Sequence, residues 1–365
     1  MALRSIEGFD YLPTSLNSNE AELNRVLSAA GFYALNQFAT TQIVEGGRFG
    51  YGNCARLSFG SIGKAFNRVD DVYTGFAVKP MQDNGTGGPT NFIVVRVHFV
   101  DTATDRVLCR VVVNSYGVVQ VYDADSQLVG ASEANAFNAN NWFFFEARCN
   151  RVYTDSTGTY GLVEARINTT TVISLPVIKL GVPSIPYFGI GAVTLQGGSP
   201  NVSFIDDWYI LDSEEDYNNS YLGNVRVQWN SINGTGNQTE WTPVSPVLPN
   251  WENANNNLLT DASFVSSLPD QPDEYDLYTV APLVNSPNIY GVSVKGAYRQ
   301  TDANQLVAKN AVRTNSTDLF GTPKPTHQTY TYIEDILDLN PVTGLGWTYA
   351  EVNSLQIGPG NGGTT

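Results

Sequence analysis

Residues 91–101 read NFIVVRVHFVD, and this stretch decides the fold class. Arg96 and His98 fall on one side of an extended chain and apolar residues on the other, because successive side chains of a strand point to opposite faces. That alternation is expected where one face of a sheet meets a core and the other does not. Outward from it, similar runs follow one another: RFGYGNCARLSF (48–59), DVYTGFAVKP (71–80), RVLCRVVVNS (106–115), VVQVYDADSQLVGAS (118–132), NWFFFEARCNRVY (141–153), YGLVEARINTTTVIS (160–174), YFGIGAVTL (187–195) and VSFIDDWYIL (202–211). They are β-branched or aromatic and bounded by Gly, Asn, Asp or Ser, and their spacing is that of an antiparallel sandwich. The fold class expected is all-β. Helix is expected only over Asn17–Phe32, with a weaker helical turn at YTYIEDILDL (330–339).

Composition agrees. Apolar residues make up 42% of the chain and charged residues 15%, below the ~25% charged of ordinary soluble domains. The 20 basic residues stand against 35 acidic ones, a formal charge of −15, which repels a phosphate backbone and excludes nucleic acid as a partner. The three cysteines, Cys54, Cys109 and Cys149, form no C-x-x-C pattern and are read as core thiols. The N-terminal residues lack the apolar core of a signal peptide, and no run reaches the ~18 apolar residues of a membrane span, so synthesis and folding in a reducing cytosol are expected.

A chain of 365 residues suits two domains. Composition shifts at the acidic DSEEDYNN (212–219), and a second, shorter set of strands follows in DLYTVAP (276–282), NIYGVSVKGAYRQ (288–300), QLVAKNAVRTN (305–315), TYTYIEDIL (329–337) and YAEVNSLQIGPG (349–360). The division expected is a sandwich over 1–215 and a smaller β-domain over 216–365, ending in a flexible PGNGGTT tail. The Gly-rich MQDNGTGGPTN (81–91) is a long loop on which a binding surface could be built.

The adjacent carboxylates Asp206 and Asp207 are the sharpest candidate for chemistry. They could serve as acid and base, as calcium ligands together with Asp212, or one could accept hydrogen bonds from a neighbouring loop while the other is solvated; alternation along a strand sends them to opposite faces unless a bulge intervenes. Sandwich-fold glucanases carry a Glu-x-Asp-x-x-Glu run, and none exists here. The only histidines, His98 and His327, belong to no G-x-S-x-G or H-E-x-x-H motif. GGRFGYG (46–52) precedes a strand and reads as a turn. N-x-[ST] triplets at Asn84, Asn168, Asn201, Asn218, Asn233, Asn237 and Asn315 are those a chain rich in Asn, Ser and Thr produces by chance. Trp229, Trp241, Trp251 and Trp347 lie in polar surroundings; they either fill a small core or form a docking or glycan-stacking surface.

The order of IEGFDYL (6–12), GGRFGYGNCARLSF, the stretch from Trp142 to Glu146 and FIDDWYILD (204–212) resembles the concanavalin A-like, laminin-G-like jelly-roll sandwich. The run Asp206, Asp207, Tyr209, Leu211, Asp212, then Asn218, Leu222, Gly223, Val225, Arg226 and Val227, is similar to a segment of tailed-bacteriophage and prophage virion proteins, in which a sandwich strand turns into a C-terminal module. The resemblance implies that Asp206–Asp207 closes the first sandwich and that DSEEDYNN is the hinge to the second domain. It implies a non-enzymatic virion structural protein on a tail tip, fibre or baseplate, or a capsid decoration protein. Partners would be other virion proteins, further copies of the chain (a trimer by preference) and a host surface glycan, with no cofactor and no catalytic residues. A lectin-fold carbohydrate-processing enzyme and a lectin of cellular origin are the alternatives.

Overall fold

The computed structural model describes residues 2–33, 41–81, 92–134, 140–181, 189–198, 202–255, 259, 261–268, 271, 273–284, 288–301 and 306–364. Residues 82–91 of the expected binding loop, and Asn84 and Asn201 of the N-x-[ST] triplets, lie outside them. Two compact units are present, Met1–Val227 and Gln228–Thr365.

The first unit contains β1 (Leu3–Glu7), β2 (Phe32–Tyr33), β3 (Thr41–Glu45), β4 (Asn53–Leu57), β5 (Ser61–Val69), β6 (Asp71–Met81), β7 (Ile93–Asp101) and β8 (Arg106–Asn114). It continues with β9 (Val119–Tyr122), β10 (Leu128–Ala131), β11 (Phe143–Asp155), β12 (Gly158–Ile167), β13 (Thr170–Gly181), β14 (Ile190–Gly197) and β15 (Val202–Asp212). The stretch 118–132 is two strands rather than one. The Asp123 carboxylate accepts the Asp125 and Gln127 N–H groups and turns the chain between them. The helix α1 (Glu20–Ala29) is shorter than the 17–32 expected, because Asn19 caps it by accepting the Glu22 N–H.

One sheet has the order β13-β12-β11-β6-β15-β4-β3 with β1 beside β15, and the other the order β10-β9-β8-β7-β14-β5-β2. All pairings are antiparallel. The sheets pack face to face: Cys109 Sγ of β8 lies 3.5 Å from Cys149 Sγ of β11, within a core that includes Phe76, Phe99, Phe145, Val111 and Val193. This is a jelly-roll sandwich. All three cysteines are buried and free.

Residues 213–227, which include most of the expected hinge at 212–219, lie against the first unit. Arg4 pairs with Asp212 and with Glu214, the Tyr221 ring meets the Tyr73 ring edge-on at 4.9 Å, and Arg166 sits 3.8 Å above Tyr221. The segment is a strap laid on the sandwich, which is why the first unit extends to Val227 and not to 215.

The second, smaller unit contains β16 (Ile232–Thr235), β17 (Thr242–Pro243), α2 (Asn250–Ala254), β18 (Val265–Ser266), β19 (Tyr278–Val280), β20 (Val292–Tyr298) and β21 (Leu306–Thr314). It ends with β22 (Thr317–Phe320), β23 (Lys324–Pro325), β24 (Thr331–Leu337), α3 (Tyr349–Asn353) and β25 (Gln356–Thr364). Its main sheet runs β16-β19-β25-β21-β22, with β23 on β21. The helical turn expected at 330–339 is strand β24, paired along its length with β20. Conversely, the start of the expected strand at 349–360 is α3, closed by a reciprocal Thr348–Glu351 capping box. The tail expected to be flexible is β25, between β19 and β21. Its glycines permit that: a Cβ on Gly358 would lie 2.2 Å from the Asp276 carbonyl oxygen. Among the described residues no helix is long and apolar enough to cross a membrane.

Candidate functional site

Arg96 and His98 stand on the face of the β7 sheet turned away from the core. Cys109, which faces the other sheet, pairs with Phe99, and Phe99 pairs with Val193. Residues of opposite parity therefore share the outer face, and register places His98 beside both Arg110 and Thr194. Arg96 lies beside Gln196, Gln196 beside Ser61, and Arg110 beside Tyr122. Five strands thus bring polar side chains to one surface.

What distinguishes this surface is hydrogen-bond deficit. His98, Thr194 and Ser61 are 7%, 0% and 1% exposed. Both ring nitrogens of His98, Thr194 Oγ1 and Ser61 Oγ have no protein partner, and they make up four of the nine such side-chain atoms among the described residues. Buried polar groups are ordinarily satisfied, and each one left unpaired costs about 1–3 kcal/mol; four such atoms lie together on this sheet face.

Around this floor stand half-buried side chains. Arg96 donates from Nη1 to the Gly197 carbonyl oxygen at 3.2 Å, and the Arg110 guanidinium carbon lies 4.8 Å from the Tyr122 ring centre. Burial, and then the charges of Arg110 and Arg96, hold the His98 imidazole down to about 3, so at neutral pH it is uncharged, with one nitrogen donating and the other accepting. The half-buried Gln196 amide, the Tyr122 ring and the two guanidinium forks, beside the neutral imidazole, can offer a hydroxyl-rich ring both donors and acceptors. An imidazole so hard to protonate is a poor general base.

The alternation of 91–101 places Arg96 and His98 together. It does not reveal Arg110, Tyr122, Thr194, Gln196 or Ser61, whose only sequence signal is a polar residue at alternate positions of an otherwise apolar run.

Asp206 and Asp207 form a different structure. A bulge interrupts pairing with β6 between Asp206 and Tyr209, and Asp207 has a φ of 51°, so the two carboxylates reach one partner despite being neighbours. Asp206 Oδ2 accepts the Arg48 backbone N–H at 2.8 Å, and Asp207 Oδ2 accepts Arg48 Nη1 at 3.1 Å. Asp207 Oδ1 also accepts the Val227 N–H at 2.7 Å, and Arg48 Nη1 reaches the Val225 carbonyl oxygen at 3.0 Å. The pair and the loop of GGRFGYG thus clasp the end of the strap. Burial raises both carboxyls, and the neighbouring Asp207 charge raises Asp206 further. Asp212 is held by Arg4 and the Glu214 N–H. Among the described residues no three His, Cys, Asp or Glu side chains gather as a metal would need, and the three carboxylates considered for calcium are each bonded by protein donors.

The tryptophans of the second unit divide. Trp347 is core, packed with Val280, Val294, Val312, Val352 and Leu355, and its Nε1–H donates to the Leu337 carbonyl oxygen. Trp241 packs against the Tyr298, Ala308 and Ile333 cluster and donates to Glu274. Trp347 is thus buried and Trp241 half-buried, as in a small β unit that fills its interior with its largest side chains. Trp229 and Trp251 are half-buried. His327 is exposed in the second unit.

The chain matches no protein-family model and no curated protein sequence. Similar solved structures include carbohydrate binding module CBM66 from Bacillus subtilis, at 9% identity over 50% of this chain and 96% of that one, with a TM-score of 0.31. The marine PL-14 alginate lyase from Aplysia kurodai is 11% identical over 58% and 98%, with a TM-score of 0.38. The carbohydrate recognition domain of Emp46p is 10% identical over 56% and 99%, with a TM-score of 0.32.

Proposed function

We propose that this chain is a non-enzymatic glycan-binding structural protein displayed on a tailed-phage virion, and that it holds a sugar on the outer face of the β7 sheet. The observation that carries the glycan reading is the cluster of His98, Thr194 and Ser61, buried on one face without protein partners. The virion reading is supported by the similarity of the Asp206–Val227 segment to phage virion proteins. A tail tip, fibre or baseplate position suits host attachment. Capsid decoration is the second reading, and antibody labelling of virions over the head would select it.

The second unit serves assembly with other copies or other virion proteins, a trimer being the preferred state. It exposes Val247, Leu268 and Leu345 at 85%, 61% and 68%. Sedimentation of the full chain as a monomer would remove self-assembly from the proposal. Calcium is at most a structural accessory, and equal melting temperatures in calcium and in chelator would dispose of a bound ion.

Thr194→Val tests the glycan site. If the hydroxyl waits for a ligand, its replacement by methyl raises stability by about 1 kcal/mol, because an unsatisfied buried group is removed, and weakens glycan binding about tenfold. Loss of stability would mean the hydroxyl is already satisfied within the folded protein. Release of saccharide products by the pure chain would instead support the carbohydrate-processing alternative.

A further inference from the structure

We infer that the sugar bound at this face is anionic, carrying a carboxylate or a sulfate met by Arg96 and Arg110. The inference rests on the glycan-binding reading and deepens it.

Several arginines of the first unit pair with carboxylates, while Arg56 bonds the Gln42 amide oxygen and Arg226 lies over the Phe49 and Tyr51 rings. Arg4 pairs with Asp212, Arg48 with Asp207, Arg148 with Asp71, Arg151 with Asp70 and Arg166 with Glu164. Among the described residues Arg96 and Arg110 have no such partner, although acidic residues outnumber basic ones 35 to 20. They stand on the adjacent strands β7 and β8, flanking His98, the residue that register sets opposite Arg110. Two half-buried guanidiniums repel each other, and burial, then the charge of Arg110, makes the charge of Arg96 harder to hold. A neutral sugar would satisfy the hydroxyls and the imidazole but leave that repulsion in place. An oxyanion on the sugar ring would accept from the guanidinium forks, in the planar geometry that suits carboxylate and sulfate alike. The remaining hydroxyls of the same ring would then lie beside His98 and the Gln196 amide.

The test uses the full chain and two matched pairs of probes: oligogalacturonate against its methyl ester, and dextran sulfate against dextran. At least one acidic probe should bind tenfold or more tightly than its neutral twin, and the identity of that probe separates carboxylate from sulfate. The preference should fall below about threefold in Arg96→Gln/Arg110→Gln and persist in Arg96→Lys/Arg110→Lys. With two histidines in the chain, imidazole NMR gives a readout that needs no variant: the acidic probe should shift His98 and leave His327 unmoved. Equal binding of acidic and neutral twins, with His98 shifted by both, would overturn the charge inference and leave the glycan site standing. Acidic binding that leaves His98 unshifted would place the anion elsewhere and overturn it too. A His98 that no glycan shifts, neutral or acidic, would mean that the face holds ordered water only, and both readings would fall.

Discussion

Arg48 joins Asp206 and Asp207 through two different parts of itself, its backbone N–H to the first at 2.8 Å and its Nη1 to the second at 3.1 Å. Because the same guanidinium also bonds the Val225 carbonyl oxygen, one residue of the β3–β4 loop fixes both the bulge in β15 and the strap that follows it. Removing one member of a buried ion pair costs about 3–5 kcal/mol, since the other charge is left unpaired. Arg48→Ala should therefore lower the stability of the first unit by roughly that amount in urea unfolding and open residues 213–227 to protease. Resistance of the strap to cleavage in this variant would show that its other contacts, at Arg4, Glu146, Asp207, Tyr209 and Tyr221, hold it without Arg48.

The same cluster gives stability a pH signature. The Asp206 carboxyl is pushed up to about 8 by burial and by Asp207, against ~3.9 in the unfolded chain. The folded state holds that proton more tightly, so this contribution is complete below about pH 4 and is lost as pH rises through about 8. His98 behaves oppositely, since burial holds it to about 3 against ~6.5 unfolded; its contribution is complete above about pH 6.5 and is lost as pH falls toward 3. Between about pH 4 and 6.5 the two slopes cancel, with a decline on either side. Asp206→Asn should abolish the decline between pH 6.5 and 8, and His98→Gln the one below pH 4. Melting curves across pH check both, and an unchanged alkaline limb in Asp206→Asn would remove Asp206 as its source.

The cysteines should be chemically silent. All three are fully buried, and burial pushes the Cys54 thiol up to about 12, leaving almost no thiolate at neutral pH. Reaction with a thiol reagent should proceed at the rate of global unfolding, with all three titrating together in denaturant. A fast phase in the native protein would reveal local opening of the sandwich.

The sequence made some of this legible and hid the rest for physical reasons. Alternation in 91–101 is a local property, so the faces of β7 could be read directly. The partners of Arg96 and His98 come from β5, β8, β9 and β14, joined by registers that long connections set and no local pattern records. Alternation misled at Asp206–Asp207 because the left-handed φ of Asp207 breaks the strand period. At Trp347 the polar segment left core and docking both open, and the side chain is 5% exposed. Glycine misled in the tail, since it signals either freedom or close backbone approach, and only pairing with β21 and β19 decides between them.

If Trp347 is core, Trp347→Ala should cost about 3–5 kcal/mol in the unfolding of the second unit and leave glycan binding unchanged. A docking role predicts the reverse: normal stability with lost assembly. Calorimetry with sedimentation separates the two.

Gly75 provides the most localised test of how the strap is anchored. It pairs with Glu146 on one side and Tyr209 on the other, and a Cβ there would lie 2.3 Å from Tyr209 Cε1. The bare backbone lets the Tyr209 ring lie across β6 and donate its hydroxyl to Glu146 Oε1 at 2.5 Å. That oxygen also accepts the Gly223 N–H at 2.8 Å, while the tyrosine oxygen accepts the Leu222 N–H at 3.2 Å. Gly75→Ala must displace the ring and with it both strap contacts, an overpacking cost of about 1–3 kcal/mol. Tyr209→Phe keeps the packing and deletes the hydroxyl, leaving Glu146 Oε1 with Gly223 alone. Both variants should speed hydrogen exchange at the Leu222 N–H, but only Gly75→Ala should also disturb β6, and equal exchange at Leu222 in Tyr209→Phe and in the parent protein would show that the anchor lies in the Asp207–Val227 bond instead.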